Sequence, residues 1–281
     1  MHARQWLVPN RQAKHRRGPR QRGRPAPLSA PAPATRAFAL ILGLAALTLG
    51  GAALAQAVSP TVQVRYDAKL GYFLTDAQGM TLYVFAKDTK GKSACNGPCA
   101  EAWPPLVADS ASTAPLNAPG SFSVITRDDG TKQVAYNGKP LYTWKADKKP
   151  GDTTGQGFHD TWWVANLEPA VQALKTADGN LLVGPTGMTL YTFGKDGPGT
   201  SACSGACAAN WPPLVGGYDT ANGNAPTAGD GVKGTLGVIA RDDGSSQLTL
   251  DGKPLYYFRG DGTPGQATGD GLLGQWAKVV Q

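Results

Sequence analysis

Residues 79–88 read GMTLYVFAKD, and Trp103 stands fifteen positions beyond the closing Asp88. The same frame, GxxLYx4D with its distant Trp, recurs without a gap three more times. It runs from Gly138 through Leu141, Tyr142 and Asp147 to Trp162, and from Gly187 through Leu190, Tyr191 and Asp196 to Trp211. The last copy runs from Gly252 through Leu255, Tyr256 and Asp261 to Trp276. Self-similarity at a fixed period, here roughly 50–60 residues, marks one supersecondary unit copied several times, as in a solenoid, a propeller or an array.

Working outward, the copies fall into two halves, residues 62–168 and 169–281, each with two units. Between Met80 and Trp103 the offset to the second half is 108, and between Arg127 and Trp162 it is 114. The six extra residues lie in the Gly- and Asn-rich stretch from Gly216 to Gly234, expected to be a surface loop. Short β-signals bounded by turn residues fill the rest. In the second unit they cover Phe122–Arg127, Lys132–Tyr136 and Pro140–Lys145, with Asn137-Gly138 as a two-residue hairpin turn and a closing strand at Trp162–Leu167. The odd units predict Val62–Tyr66, Gly71–Thr75, Thr81–Phe85 and Leu106–Ala108. About four strands per unit and no long helix predict an all-β fold. A four-bladed β-propeller is the expected arrangement, with two β-sandwich or barrel-like halves as the alternative.

The net charge of +7 suggests nucleic acid until the chain is divided. Of the 27 Lys and Arg, nine fall in residues 1–55, which hold no acid, so 18 remain against all 20 acids and that remainder carries −2. Such a balance lacks the basic footprint of a nucleic-acid binder. Residues 1–55 read as a signal peptide: a basic stretch, an apolar run from Ala37 to Leu54, and Ala53-Leu54-Ala55 as an A-x-A cleavage site before Gln56. Residues 56–61 then form a short linker. An uncleaved anchor is the alternative, since 18 apolar residues reach the lower edge of a membrane span. The Arg16-Arg17 pair stands too far from the apolar run to argue for twin-Arg export. The expected location is extracytoplasmic: periplasm, cell envelope or secreted.

Each half carries one CxxxC pair, Cys95 with Cys99 and Cys203 with Cys207. An even, paired count in an exported chain favours disulfides, each closing so short a loop that it adds only about 2 kcal/mol. Copper held by the sulfurs is the alternative.

Within each signature strand, side chains alternate faces, and both faces are apolar. The aromatics therefore read as packing, and the Asp after each strand as a turn cap. These structural positions are Tyr83, Phe85 and Asp88; Tyr142, Trp144 and Asp147; Tyr191, Phe193 and Asp196; and Tyr256, Phe258 and Asp261.

Those four segments resemble the Yx(FWY)xxD motif of a family of bacterial predicted lipoproteins, also described as a secreted repeat of unknown function. The CxxxC-to-WPPL stretches, Cys95 to Leu106 and Cys203 to Leu214, strengthen the resemblance, which spans the chain after the leader. It implies an envelope location and a duplicated repeat, with no established activity. One departure is that no Cys lies near the cleavage site, so lipid attachment is not expected.

Sites for chemistry are sparse. Of three His, His2 and His15 fall in the leader. His159 next to Asp160 is a weak metal candidate, since imidazole sites generally need a second ligand of the kind, and Leu273 takes its place in the fourth unit. No GxSxG elbow, phosphate loop, HExxH or paired carboxylates occur. The sequence therefore predicts a non-enzymatic, exported β-repeat module that binds or scaffolds in the cell envelope. Its partners would be other envelope proteins or surface polymers, met through loops such as Lys145–Gln156 and Arg259–Thr268. The alternatives are an envelope redox or metal-handling protein using copper or iron, and a carbohydrate-binding module using an exposed Trp, for which Trp162 and Trp163 are candidates.

Overall fold

The computed structural model describes residues 62–108, 115 and 118–281. The expected signal peptide and linker lie outside the described residues. In chain order the first half contains β1 (Val62–Asp67), β2 (Gly71–Asp76), β3 (Tyr83–Phe85), α1 (Pro98–Ala102), β4 (Phe122–Thr126), β5 (Lys132–Tyr136), β6 (Lys139–Pro140) and β7 (Trp162–Val164). The second half repeats them as β8 (Gln172–Thr176), β9 (Gly179–Val183), β10 (Tyr191–Phe193), α2 (Ala206–Asn210), β11 (Leu236–Ala240), β12 (Ser246–Leu250), β13 (Lys253–Pro254) and β14 (Trp276–Lys278). Among the described residues no helix is long and apolar enough to cross a membrane.

The fold is all-β with four repeats. Each repeat opens with an antiparallel hairpin, β1–β2, β4–β5, β8–β9 or β11–β12. The turns between the second hairpin strand and the signature strand in even repeats need positive φ at both residues. Asn137 (50°) with Gly138 (79°), and Asp251 (49°) with Gly252 (76°), supply it.

A two-stranded hairpin is marginal alone, and each one here finds a third strand in the neighbouring repeat. In the first hairpin the Leu74 N–H donates to Ala165 O (2.9 Å), the Ala165 N–H to Leu82 O (2.8 Å) and the Leu82 N–H to Leu74 O (2.9 Å), closing a ring of three backbone bonds. Leu82 belongs to the same repeat as Leu74, whereas Ala165 follows the Trp of the next. The second hairpin returns the exchange. Val134, Leu106 and Leu141 form the same ring, and Leu106 follows the Trp of the first repeat. In the second half the rings are Leu182–Val279–Leu190 and Leu248–Leu214–Leu255. The four signature Leu residues, 82, 141, 190 and 255, are each 0% exposed.

Between the exchanged strands the signature strands touch back to back. Tyr83 N–H donates to Tyr142 O (2.8 Å) and Tyr142 N–H to Tyr83 O (3.0 Å), and Tyr191 and Tyr256 repeat the pair at 2.8 and 3.0 Å. Two repeats thus form one unit with an internal pseudo-twofold relation. Among the described residues no sheet exceeds three strands, so the four-stranded blade of a propeller is not shown: the strand that would complete it is given to the neighbour. The expected strand at 140–145 is likewise reduced to β6, because at Tyr142 the chain is bridged to Tyr83 and to Pro105 instead of continuing one ladder.

The stretch from Gly216 to Gly234 departs from a free surface loop. Tyr218 and Asn224 within it are buried, and Ala228 forms a parallel bridge with Val171. Its backbone groups find protein partners, which is why burial is tolerated. Gly217 joins the halves, its N–H donating to Asn166 Oδ1 (2.9 Å) and its O accepting from Gln156 Nε2 (3.0 Å). At Gly71 (φ 69°) any Cβ would collide with the Val215 carbonyl, so only Gly permits this approach.

Strand exchange has a direct consequence. A fragment ending at residue 121, with one repeat, is expected to stay unfolded, while residues 62–168 fold cooperatively, as read by amide dispersion in NMR spectra and by a single urea transition.

Candidate functional site

The signature Tyr and Asp are joined across the pseudo-twofold. Tyr83 Oη donates to Asp147 Oδ2 (2.7 Å) and Tyr142 Oη to Asp88 Oδ2 (2.8 Å). Tyr191 donates to Asp261 (2.7 Å) and Tyr256 to Asp196 (2.8 Å). The second oxygen of each Asp closes its own loop. Asp88 Oδ1 accepts from the Ala94 N–H (2.7 Å) and Asp196 Oδ1 from the Ala202 N–H (2.8 Å). Asp147 and Asp261 accept from the N–H of Thr154 (3.0 Å) and Thr268 (2.9 Å). Turn capping, the role expected from sequence, is therefore half of what these carboxylates do.

All four phenols are buried, and desolvation, followed by hydrogen bonding and charge from the facing Asp, holds them above the ordinary tyrosine range. For Tyr256 the value is pushed up to about 12, with the Ser201 hydroxyl opposing the shift. The phenols thus remain donors at any physiological pH. Burial also raises the carboxyls of Asp88 and Asp196, against the N–H and Tyr donors that favour their charged forms.

The signature aromatics and the distant Trp build a ladder in each half. Phe85 stacks on Trp162 (4.3 Å between centroids), Trp162 on Trp103 (3.9 Å) and Trp103 on Trp144 (4.0 Å). In the second half Phe193, Trp276 and Trp211 follow at 4.2 and 3.7 Å, and Phe258 packs at the end, tilted, at 4.4 Å. Trp162 and Trp163 do face opposite sides of β7, yet both are buried, at 4% and 5% exposure. Trp162 enters the ladder and Trp163 the Leu82 cluster, because each face of the strand has its own core. Neither is the exposed Trp that the carbohydrate alternative called for.

Cys95 is bonded to Cys99 and Cys203 to Cys207, with Cα atoms 5.2 Å apart in each pair. Both disulfides pack against the ladders. A guanidinium fastens each to the neighbouring repeat: Arg127 Nη2 donates to Cys95 O (2.6 Å) and Nη1 to Gln133 Oε1 (2.7 Å), and Arg241 repeats this with Cys203 O (2.7 Å) and Gln247 (2.6 Å). Sequence reasoning missed these two Arg, although Arg-Asp-Asp-Gly recurs at 127–130 and 241–244.

His159 and Asp160 are exposed at a loop tip with φ of 51° and 53°. Leu273, at the place of His159, has φ 55°, so the unusual backbone belongs to the shared loop and not to the imidazole. The His159 ring lies edge-on to Phe158 at 4.3 Å. Among the described residues no three His, Cys, Asp or Glu are grouped as a metal site. The two polar loops proposed as contact surfaces hold buried Asp147 and Asp261, so their conformations are set from within.

A cleft of about 420 Å³ opens where the halves meet, lined by Tyr136, Lys139, Glu168, Tyr218, Asn224 and Asp230, among others. Glu168, in the connection between halves, anchors it. Its Oε2 accepts from the N–H of Thr227 (2.9 Å) and of Ala170 (3.1 Å), and also from the Thr227 hydroxyl. Its own N–H donates to Tyr136 Oη (2.9 Å). Desolvation raises the Glu168 carboxyl, against donors from Thr227 and Tyr218. The Tyr218 phenol is raised too, by desolvation first and by Glu168 second.

Two measurements check this geometry. Tyr83→Phe and Tyr142→Phe each strand a carboxylate without its phenol and should cost about 1–3 kcal/mol in urea unfolding. Glu168 has its carboxyl raised in the folded state, so the stability it confers is complete below its ordinary value of 4.5 and falls as pH rises through the folded value. Glu168→Gln should remove that fall while leaving the transition cooperative.

Four matches to the family model described as a secreted repeat of unknown function cover residues 64–107, 123–166, 172–215 and 237–279, together more than half of the chain. No curated protein and no solved structure matches it. With one match on each repeat and both disulfides formed, the chain belongs to this family of secreted repeats and is an extracytoplasmic protein.

Proposed function

We propose that the protein is an exported, non-catalytic module of the cell envelope that holds another envelope protein or a surface polymer in the cleft between its halves. The observation that carries this reading is the cleft itself, built from both halves and fixed by Glu168. At about 420 Å³ it falls within the roughly 300–1,000 Å³ of small-molecule pockets, its walls mixing apolar groups such as Val84 and Pro169 with polar ones such as Asn137, Lys139 and Glu168. The signature Tyr, Asp, Trp and Cys side chains are committed to holding repeats together, which makes the repeats a rigid frame for loops and clefts. Arrangement as two paired halves side by side, after removal of a signal peptide, suits that role better than a ring of independent blades. Commitment of all four sulfurs to disulfides favours this over copper or iron handling.

Ala228 lines the cleft with an exposed side chain, so Ala228→Trp would fill it without touching a core. The tagged wild type should retain a component of native envelope extract that Ala228→Trp loses at unchanged melting temperature. Equal capture by both proteins would refute the cleft as the seat of binding.

A further inference from the structure

The two halves share one frame but differ in the size of several groups around the signature strand. In the second half a cleft of about 400 Å³ lies between the signature strand β10, the turn before β13 and the end strand β14. At four positions the first half carries larger groups there. Trp163 stands where the second half has Ala277, Lys90 where it has Pro198, Thr89 where it has Gly197, and Ala86 where it has Gly194.

The register explains what this does. Val84 pairs with Trp163 directly across β3–β7, and both are buried in one cluster; Thr192 pairs with Ala277 across β10–β14, and both line the cleft. The indole packed with Val84 in the first half is absent from the second. The turn tells the same story. A Cβ on Gly138 would sit 2.7 Å from Lys90 Cγ, so the lysine stem covers that turn, whereas the nearest atom to a Cβ on Gly252 is Gly199 N at 4.0 Å.

The exchange also changes the chemistry of the walls. Val84 becomes Thr192 and Thr161 becomes Gln275, so a hydroxyl and an amide replace a methyl and a smaller hydroxyl. They stand among Phe193, Pro198 and Pro254, with the carboxylates of Asp196 and Asp251 and the ammonium of Lys253 on the same walls. Phe193 is held rigidly by its stacking on Trp276. Donors and acceptors set among apolar patches, with two carboxylates to one ammonium, disfavour an anion and suit an uncharged ligand bearing hydroxyl or amide groups on an apolar ring.

We propose that this second-half cleft is a saccharide site, taking one or two neutral sugar rings of a surface polymer. It is independent of the junction cleft, and Ala228→Trp leaves it intact.

The test is a titration of the ¹⁵N-labelled full chain with N,N′-diacetylchitobiose, followed by amide shifts. Saturable shifts at Thr192, Gly194 and Ala277 with a dissociation constant of about 1 mM or tighter are expected. Ala277→Trp, which restores the first-half residue, should abolish them. Should that variant fail to fold, Thr192→Val and Gln275→Thr carry side chains the first half already accommodates, and together they should weaken binding about tenfold or more. The proposal is overturned by an absence of saturable shifts at these amides up to about 20 mM sugar, by affinity unchanged in the Thr192 and Gln275 variants, or by tighter binding of an anionic uronic-acid disaccharide.

Discussion

Every repeat of this protein depends on a ring of three backbone hydrogen bonds of which it supplies only two corners. Leu74 and Leu82 belong to the first repeat, but Ala165 comes from the second, and Leu106 makes the return journey to Val134 and Leu141. Hydrogen-bonding groups in a buried strand must be satisfied by some partner, and here the partner is always the neighbour's closing strand. The folding unit is therefore two repeats. The signature follows from it: Leu at the ring, Tyr on the pseudo-twofold, the third aromatic at the ladder's end, and Asp receiving the partner's phenol.

That arrangement explains why polar signature residues survive in a core. A buried carboxylate is costly unless it is hydrogen-bonded, and Asp147 receives Tyr83 Oη, the Thr154 N–H and the Thr154 hydroxyl together. The phenol spans repeats and the Thr spans one loop, so a single side chain sets both the pairing and the loop geometry. Arg127 and Arg241 work in the same manner, reaching from even repeats to the carbonyls of Cys95 and Cys203.

How far this was legible in the sequence depends on range. Period, hairpins, turn residues and the two-faced signature strand are local, and the Asn137-Gly138 turn and the hairpins at β4–β5 and β1–β2 stand where the spacing puts them. Which repeat a closing strand joins is not local. Trp103–Val107 has the same apolar pattern whether it completes its own sheet or its neighbour's, so a blade and an exchanged pair look alike in one dimension. Trp162 and Trp163 fail as indicators of exposure for a related reason. Alternation places them on opposite faces, but only the packing of both faces against separate clusters makes both inaccessible. Composition likewise marked 216–234 as a loop, while its docking rests on Glu168 reaching Thr227, 59 residues away.

Internal duplication offers a physical way to separate architecture from function inside one chain. Positions where all four repeats, or both halves, keep the same group are those where a change would break a ring, a ladder or a Tyr–Asp pair. Freedom remains where the halves differ, and two such places stand out. Glu168 sits in the connection that joins the halves and organises the junction. Ala277 replaces Trp163 and opens β14, which the ladder on its other face keeps in position through Trp276. A strand already braced by stacked indoles tolerates the loss of a large side chain on its far face. The rigidity of the duplicated frame is thus what permits clefts to open at its surface without loss of the fold.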